Sequence, residues 1–134
     1  MKIDGSCHCG AVTYEAEVDP ENVMVCHCND CQRFSGGPFR PLAPTNKGTF
    51  KLLSGALTIY SKTGESGAPR AQAFCPNCGT PVYSSAMEES PQVHNIRLGS
   101  VRQRDQLSPK KQIWTRSKQS WVNDLADLPQ MEKQ

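Results

Sequence analysis

Seven cysteines are the residues of this chain whose spacing could do chemistry. They fall into three groups: Cys7 and Cys9; Cys26, Cys28 and Cys31; and Cys75 and Cys78. Zn²⁺ favours thiolate ligands in a tetrahedron, and a Cys-x-x-Cys turn presents two of them to one ion. An odd number of cysteines leaves one thiol unpaired in any arrangement made only of disulfides. The spacing therefore favours metal binding.

The segment Cys75-Pro76-Asn77-Cys78-Gly79 is the strongest of these signals. Proline begins the turn, and glycine after the second cysteine permits the left-handed backbone that metal-binding knuckles need. The pair in Cys7-His8-Cys9 is a weaker signal. The backbone of an extended strand must bend there before both sulfurs can reach one ion. This pair needs a partner pair elsewhere in the chain.

Three ways of dividing the cysteines are open at this point. The favoured one joins the two end pairs into a four-thiolate site and leaves the central triple as a three-thiolate site with an open fourth position. A second places one zinc among four of the seven and leaves three buried thiols. The third covers disulfides or other metals. His8 and His27 each lie between two cysteines and are expected to point away from the ion, so neither is predicted as a ligand.

The three-thiolate site, with Cys26, Cys28 and Cys31, is predicted to act on a thiol. Zinc with three thiolates carries a net charge of −1 and is a weak Lewis acid toward water. Its open position instead suits a substrate sulfur, held as thiolate below the free pKa of about 8.5. A bound thiolate is a nucleophile, which indicates reversible addition of a group to a small-molecule thiol. Alternatively, a protein side chain fills the fourth position and the site is inert.

Size and charge limit the other possibilities. A chain of 134 residues suits one domain, here 1–134, with a core over about 3–128 and a polar tail over 129–134. The formal charge is +2 when every cysteine is counted as neutral. Seven thiolates would lower it by seven and two Zn²⁺ ions would raise it by four, so the net charge becomes −1. This net charge gives no support to nucleic-acid binding. We expect no membrane span and no signal peptide, and therefore a cytoplasmic location in which thiols stay reduced.

The elements that must position the cysteines are mostly strands. Residues 12–18 alternate apolar and polar side chains, as a half-buried strand does, and Asn29 to Phe34 predict one helical turn. Ser54-Gly55 predicts a hairpin connection between strands at 49–53 and 57–60. Further expected elements are strands at 70–74, 81–83 and 93–98, a surface loop at 61–69 and a short helical turn at 121–125. The fold class predicted is a small, mainly β zinc-binding domain with short helical turns.

Three motifs in order resemble the glutathione-dependent formaldehyde-activating enzyme family. They are 5–12 (GSCHCGAV), 26–33 (CHCNDCQR) followed by Ser35-Gly36, and 74–81 (FCPNCGTP), and the end piece from Ser117-Lys118 to Leu128-Pro129 extends the similarity. The resemblance implies an Mss4-like β fold. It also implies a structural zinc on Cys7, Cys9, Cys75 and Cys78 and a catalytic zinc on Cys26, Cys28 and Cys31.

The activity implied by the resemblance is that of a carbon–sulfur lyase, joining glutathione and formaldehyde into S-hydroxymethylglutathione or reversing that step. Substrate-binding residues are predicted at Arg33, whose charge suits a carboxylate of glutathione, and at Ser35 and Gly36. Two positions depart from the family pattern: Val101-Arg102 replaces leucine-aspartate, and Gln112 stands where histidine is common. The alternative function is a zinc-stabilised protein-binding module without catalysis, since related folds serve as protein-binding domains and the domain also resembles part of a vertebrate centromere protein. A third possibility, methionine sulfoxide reduction, needs a reactive cysteine outside the metal clusters, and every cysteine here belongs to one.

Overall fold

The computed structural model describes residues 1–134, and its ten strands are divided between two sheets. The smaller sheet has three antiparallel strands in the order β1-β2-β5, namely β1 (Lys2–Ser6), β2 (Thr13–Glu17) and β5 (Lys51–Ser54). Alternation of buried and half-buried residues along β1 and β2 gives this sheet one face in the core.

The larger sheet has seven strands in the order β10-β3-β4-β9-β8-β7-β6. These are β3 (Met24–Cys26), β4 (Arg40–Pro44), β6 (Thr58–Thr63), β7 (Pro69–Phe74), β8 (Pro81–Ala86), β9 (Asn95–Arg97) and β10 (Lys111–Ile113). All neighbours are antiparallel except β10 and β3. Because β10 lies beside β3, Ile113 and the residues that follow it are brought next to the strand that carries Cys26.

The single α-helix, α1 (Asn29–Ser35), directly follows the central cysteine strand. It ends at Gly36, whose φ of 68° places it in the left-handed region that glycine adopts without strain. The remaining helical segments are short 3₁₀ helices at Pro20–Asn22, Leu98–Ser100, Arg104–Gln106, Thr115–Ser117 and Ser120–Asp127. No helix combines the length and the apolar character needed to cross a bilayer.

The main core draws its apolar side chains from both sheets. It includes Tyr14 from β2, Ala43 from β4 and Ile96 from β9, all fully buried. Cys7 and Cys75 belong to the same cluster, so the sulfurs at the ends of β1 and β7 lie against the core rather than in an isolated loop. Anything bound between them would tie both sheets together.

Strand register gives the larger sheet two chemically different faces. Ala43 pairs with Ile96 and Ile96 with Tyr83, which places these residues on the core face. The opposite face carries mostly polar and charged side chains, with Leu42 among them. In register across the sheet, Cys26 lies beside Arg40, Leu42 beside Arg97, Ser84 beside Gln72, and Lys62 beside Arg70. Side chains alternate between faces along each strand, so this second face follows directly from the pairing.

The predicted fold class is confirmed, since the protein is mainly β with short helical segments. The predicted helical turn after Cys28 and the one near Trp121 are present. The predicted strand at 93–98 is shorter, because Leu98 already begins a 3₁₀ helix. The predicted loop at 61–69 is also shorter, since β6 continues to Thr63 and β7 begins at Pro69.

The predicted hairpin at Ser54-Gly55 is wrong. β5 pairs with β2 in the smaller sheet, whereas β6 pairs with β7 in the larger one. The connection is held against Ala11: the Ser54 hydroxyl donates to its carbonyl at 3.3 Å, and a Cβ on Gly55 would come within 2.4 Å of the same oxygen. The chain therefore crosses from one sheet to the other at this point instead of folding back on itself.

Candidate metal centres

The four end cysteines meet where β1 and the β7–β8 connection come together. Cys7 follows β1, and the chain leaves strand geometry there, with Gly10 donating to the Cys7 carbonyl at 3.1 Å. Cys75 follows β7, and Gly79, with φ of 75°, donates to its carbonyl at 2.9 Å. Both segments are tight turns, which is why each presents two sulfurs in one direction.

The sulfur separations of this cluster fit a tetrahedral ion. Ligands at the usual Zn–S distance of about 2.3 Å lie about 3.8 Å apart along the edges of a tetrahedron. The Sγ atoms of Cys7 and Cys9 are 3.5 Å apart, those of Cys9 and Cys75 are 3.8 Å apart, and all four lie within 4.8 Å of one another. The four-cysteine cluster, Cys7, Cys9, Cys75 and Cys78, could therefore hold a metal ion.

Neighbouring donors stabilise the thiolates of the four-cysteine cluster. The Thr80 hydroxyl lies 3.1 Å from the Cys78 sulfur and is the main reason why the pKa of Cys78 is lowered to about 5. A hydrogen bond from Asn77 is the main cause that lowers the pKa of Cys9. The Val12 backbone N–H donates to the Cys7 sulfur at 3.3 Å. Hydrogen bonds to thiolates favour the charged form that metal binding requires.

The central cysteines form a second cluster on the charged face of the larger sheet. Cys26 ends β3, Cys28 caps the N-terminus of α1, and Cys31 lies in the first turn of that helix. The Cys31 N–H donates to the Cys28 sulfur at 3.3 Å, and the three Sγ atoms lie within 4.8 Å of one another. This three-cysteine cluster could also hold an ion, and it includes no fourth histidine, cysteine, aspartate or glutamate.

Charge around the three-cysteine cluster favours a thiolate. Interaction with the Cys26 thiol, followed by the positive charges of Arg40 and Arg97, lowers the pKa of Cys31 to about 5. The interaction with Cys31, together with burial, raises the pKa of Cys26. None of the seven cysteines forms a disulfide, so the sulfur atoms of both clusters are available as metal ligands.

Two buried arginines stand beside this cluster without a carboxylate partner. Arg40 and Arg97 are each only 5% exposed, and both donate through Nη2 to the same acceptor, the Gln72 Oε1, at 3.2 and 3.3 Å. The Nε atoms of both arginines have no hydrogen-bond partner. Burial and the charge of Arg40 lower the pKa of Arg97 below its usual value. The Arg40 guanidinium also stacks 5.3 Å above the ring centroid of Phe34.

Two adjoining cavities open onto the three-cysteine cluster. The inner cavity, about 240 Å³, is lined by all three cysteines and by four cations, Arg40, Lys62, Arg70 and Arg97, with no acidic residue. The outer groove, about 580 Å³, is lined by Cys28, Arg33, Lys62, Arg70 and Trp114 among others. Cys28, Lys62, Arg70 and Trp114 line both, so these residues mark the boundary between the two spaces.

Trp114 at this boundary is held in an unusual backbone conformation. Its φ of 58° and ψ of 39° are left-handed, and it is the sole non-glycine residue of residues 1–134 with positive φ. Such a conformation costs a bulky residue about 1–3 kcal/mol and often marks a functional site. β10 pairs with β3 and ends at Ile113, so the next residue, Trp114, lies at the boundary between the inner cavity and the outer groove.

The predicted substrate residues separate in the structure. Arg33 lines the outer groove together with Cys28. Ser35 and Gly36 instead terminate α1: the Ser35 hydroxyl donates to the Phe39 carbonyl at 3.1 Å and accepts from the Gly37 N–H at 3.2 Å. Neither lines the inner cavity or the outer groove, and Ser35 faces a third cavity, about 600 Å³, that also contacts Arg40, Arg97, Arg102 and Arg104.

The histidines lie outside both clusters. The His27 ring is buried, and its Nε2 lies 2.9 Å from Oε1 of Gln112, one of the positions singled out in the sequence. That glutamine oxygen also accepts from Lys118 Nζ at 3.0 Å. His94 stacks on Phe50 at 4.4 Å and contacts Tyr83 edge-on, so it belongs to the core. His8 is exposed, with its backbone N–H bonded to Thr80.

The comparison with known protein families agrees with this arrangement. The sequence profile of the family described as glutathione-dependent formaldehyde-activating enzyme matches residues 2–117, which include all seven cysteines. The chain belongs to this family.

Two known proteins illustrate the range of similarity. A Schizosaccharomyces pombe protein named as an uncharacterized lyase is 30% identical over 80 residues, which cover 60% of this chain and 55% of the relative. The chain thus spans about half the length of that curated relative. A crystal structure of a Rhodobacter sphaeroides protein superposes with a TM-score of 0.61 at 22% identity, covering 81% of this chain and 98% of the other, which is a similarity of fold.

Several residues at the site of this family member were not predicted from the sequence: Arg40, Lys62, Arg70, Gln72, Arg97 and Trp114. All of them except Arg40 lie far along the chain from the three cysteines of the central cluster, and strand pairing brings them together. The sequence held a signal for Arg97: within the predicted strand at 93–98, side chains alternate between faces, which places Arg97 on the face opposite His94, Ile96 and Leu98. Without the neighbouring strands, however, a single arginine on a strand face is usually interpreted as a solvent-exposed side chain.

Proposed function

We propose that the chain is a zinc-dependent carbon–sulfur lyase that acts on the adduct of a small-molecule thiol with a carbonyl compound. Glutathione and formaldehyde, combining into S-hydroxymethylglutathione, are the substrates that family membership favours. The observation that carries the proposal is the three-cysteine cluster, which has no fourth protein ligand of the usual kinds and opens onto a cation-lined cavity.

Sulfur donors in tetrahedral spacing suit Zn²⁺ at both clusters. We assign Cys7, Cys9, Cys75 and Cys78 to a structural zinc and Cys26, Cys28 and Cys31 to a catalytic zinc. When bound at the three-cysteine cluster, zinc would supply stabilisation of a substrate sulfur as thiolate at neutral pH.

The residues around the cavities would bind and orient the thiol. Its carboxylates would face Arg33, Arg70 and Lys62 in the outer groove, since guanidinium groups bind carboxylates through paired hydrogen bonds. Trp114 would pack against the substrate at the boundary and exclude water from the inner cavity. In the forward reaction a carbon–sulfur bond forms while the thiol proton goes to the carbonyl oxygen. The cations of the inner cavity stabilise negative charge on that oxygen.

A cytoplasmic location is part of the proposal, supported by seven cysteines of which none forms a disulfide, as expected in a reducing compartment. The alternative, a protein-binding module without catalysis, would be favoured by a side chain that completes the central cluster. No histidine, cysteine, aspartate or glutamate does so among residues 1–134, and this favours the enzyme.

The test combines metal counting with exchange measurements. Purified protein is expected to hold two zinc ions, and the Cys28→Ser variant one, with circular dichroism unchanged. Two-dimensional exchange NMR with ¹³C-formaldehyde and glutathione should show faster interconversion with the wild type than without protein, and a loss of at least about tenfold in the variant. Loss of both ions together with unfolding in Cys28→Ser would contradict the two-site assignment. Exchange at the uncatalysed rate with zinc-loaded wild type would contradict the activity.

A further inference from the structure

We infer that the electrophile accepted in the inner cavity is a small 2-oxo acid, whose carboxylate is bound by Arg40 and Arg97 beside the reacting sulfur. This inference rests on the proposed function, because it concerns the second reactant of the same addition. Formaldehyde is neutral, so in its addition the cations of the inner cavity meet negative charge only on the oxygen of the forming adduct. The two buried arginines could in addition bind an anionic group, which formaldehyde lacks.

The first support is the state of the two arginines. Each is 95% or more buried, and together they have one hydrogen-bonding side-chain acceptor, the neutral Gln72 Oε1. Neither is within ion-pair distance of a carboxylate, since the ion pairs of the protein join other residues. Buried charges are normally paired and hydrogen-bonded because desolvation is costly. Two adjacent buried cations whose Nε atoms lack a hydrogen-bond partner have the chemistry to bind an anion.

The second support is the local charge. A zinc ion on three thiolates has a net charge of −1, and the two arginines contribute +2. One positive charge remains, which a single carboxylate would neutralise. Lys62 does not alter this, because Asp30 binds it at 2.7 Å, and Arg70 also lines the outer groove, where it is available to the thiol.

The third support is size and position. The inner cavity, about 240 Å³, is lined by Cys26, Cys28 and Cys31, so an electrophile held by the arginines would lie against the cluster that holds the thiol sulfur. A compact acid with its carbonyl next to the carboxylate fits this arrangement. The thiol adds across the carbonyl: a carbon–sulfur bond forms, and the thiol proton goes to the former carbonyl oxygen, so no other reactant is needed.

The experiment compares two aldehydes that differ in charge but little in size. Glyoxylate carries the carboxylate, and glycolaldehyde has a hydroxymethyl group in its place. With zinc-loaded wild type and glutathione, exchange NMR should give a kcat/KM at least about tenfold higher for glyoxylate, corrected for the uncatalysed rates. Arg97→Gln should bring the ratio of the two substrates close to one, and Arg97→Lys should restore part of it.

Arg104→Gln is the matched control, because Arg104 lines the third cavity but not the inner one. It should keep the wild-type ratio. Zinc content and circular dichroism show whether each variant is folded, and the wild-type comparison stands even if an Arg97 variant is not. Formaldehyde turnover without any preference for glyoxylate over glycolaldehyde would overturn this inference and leave the proposed lyase intact. Exchange at the uncatalysed rate with formaldehyde, glyoxylate and glycolaldehyde alike would overturn both.

Discussion

Lys62, which lines both the inner cavity and the outer groove, forms an ion pair with Asp30 of the outer groove, with Nζ 2.7 Å from Oδ2. The pair connects the end of β6 to the first turn of α1, the helix that carries Cys31. The Lys62 side chain is only 18% exposed, whereas the other ion pairs of the protein are nearer the solvent. This contact therefore forms part of the wall of the outer groove.

Lys62→Gln should raise the KM for the thiol by about tenfold, because it removes a cation from the groove and leaves the charge of Asp30 unpaired. The free energy of unfolding should change by less than about 1 kcal/mol, since one partner remains partly solvated. Lys51→Gln is the control: it breaks the Lys51–Glu15 pair, which lies on β5 and β2 away from the cavities. An unchanged KM in Lys62→Gln would show that the groove does not hold the thiol.

Removing metal from the four-cysteine cluster should unfold the protein. The cluster joins residue 7 to residue 78 and lies against the core, so its loss opens a long loop and exposes Cys7 and Cys75. Metal bound only by the folded chain contributes its binding free energy to stability. The loss of stability is measured by circular dichroism and thermal melting after chelation, once the loss of zinc has been verified. A metal-free protein that melts like the untreated one would refute the structural role.

Stability should depend on pH through His94. Burial lowers its pKa, so the folded state favours the neutral ring. Below about pH 6.5 the unfolded chain takes up a proton that the folded chain resists, and the free energy of unfolding falls as the pH falls. His94→Phe, which keeps the aromatic packing on Phe50 and Tyr83, should lose less stability than the wild type between pH 7.5 and 5.5 in urea unfolding. Parallel curves for the two proteins would exclude this contribution.

Gly5→Ala should destabilise the fold by about 1–3 kcal/mol or more, the usual cost of overpacking a core. A Cβ at this position would come within 2.4 Å of the Tyr14 ring and of the Ser100 carbonyl oxygen. Tyr14 is fully buried and its hydroxyl is 2.7 Å from Ser100 Oγ, so neither group can move freely. Gly99→Ala, where nothing lies within 4 Å of the added carbon, should change stability by less than about 0.5 kcal/mol. Equal melting of the two variants would contradict the steric argument.

The cysteine motifs could be grouped correctly in advance because short spacing and glycine placement are local properties. Turns at Gly10 and Gly79 bring together the sulfurs that the sequence had paired. The helix after Cys28 was predictable for the same reason, since its end at Gly36 is a local signal. Zinc itself, and the roles of Arg33, Ser35 and Gly36 toward a substrate, stay predictions.

The cation-lined face could not be predicted, because it depends on which strands pair. β4 was not identified as a strand: Pro41 and Pro44 interrupt its pattern, yet it lies inside the larger sheet between β3 and β9. Without β4 there is no reason to place Arg40 opposite Cys26 or Leu42 opposite Arg97. The false hairpin at Ser54-Gly55 has the same origin, since a turn signal does not tell which sheet the next strand joins.

The position of Trp114 has a practical consequence for optical work. The protein contains two tryptophans, and Trp121 lies in the 3₁₀ helix near the end of the chain. Trp114 is 40% exposed at the boundary of both cavities. In a Trp121→Phe background its indole emission would be the sole intrinsic tryptophan signal, so entry of a thiol could be titrated by fluorescence without any attached dye.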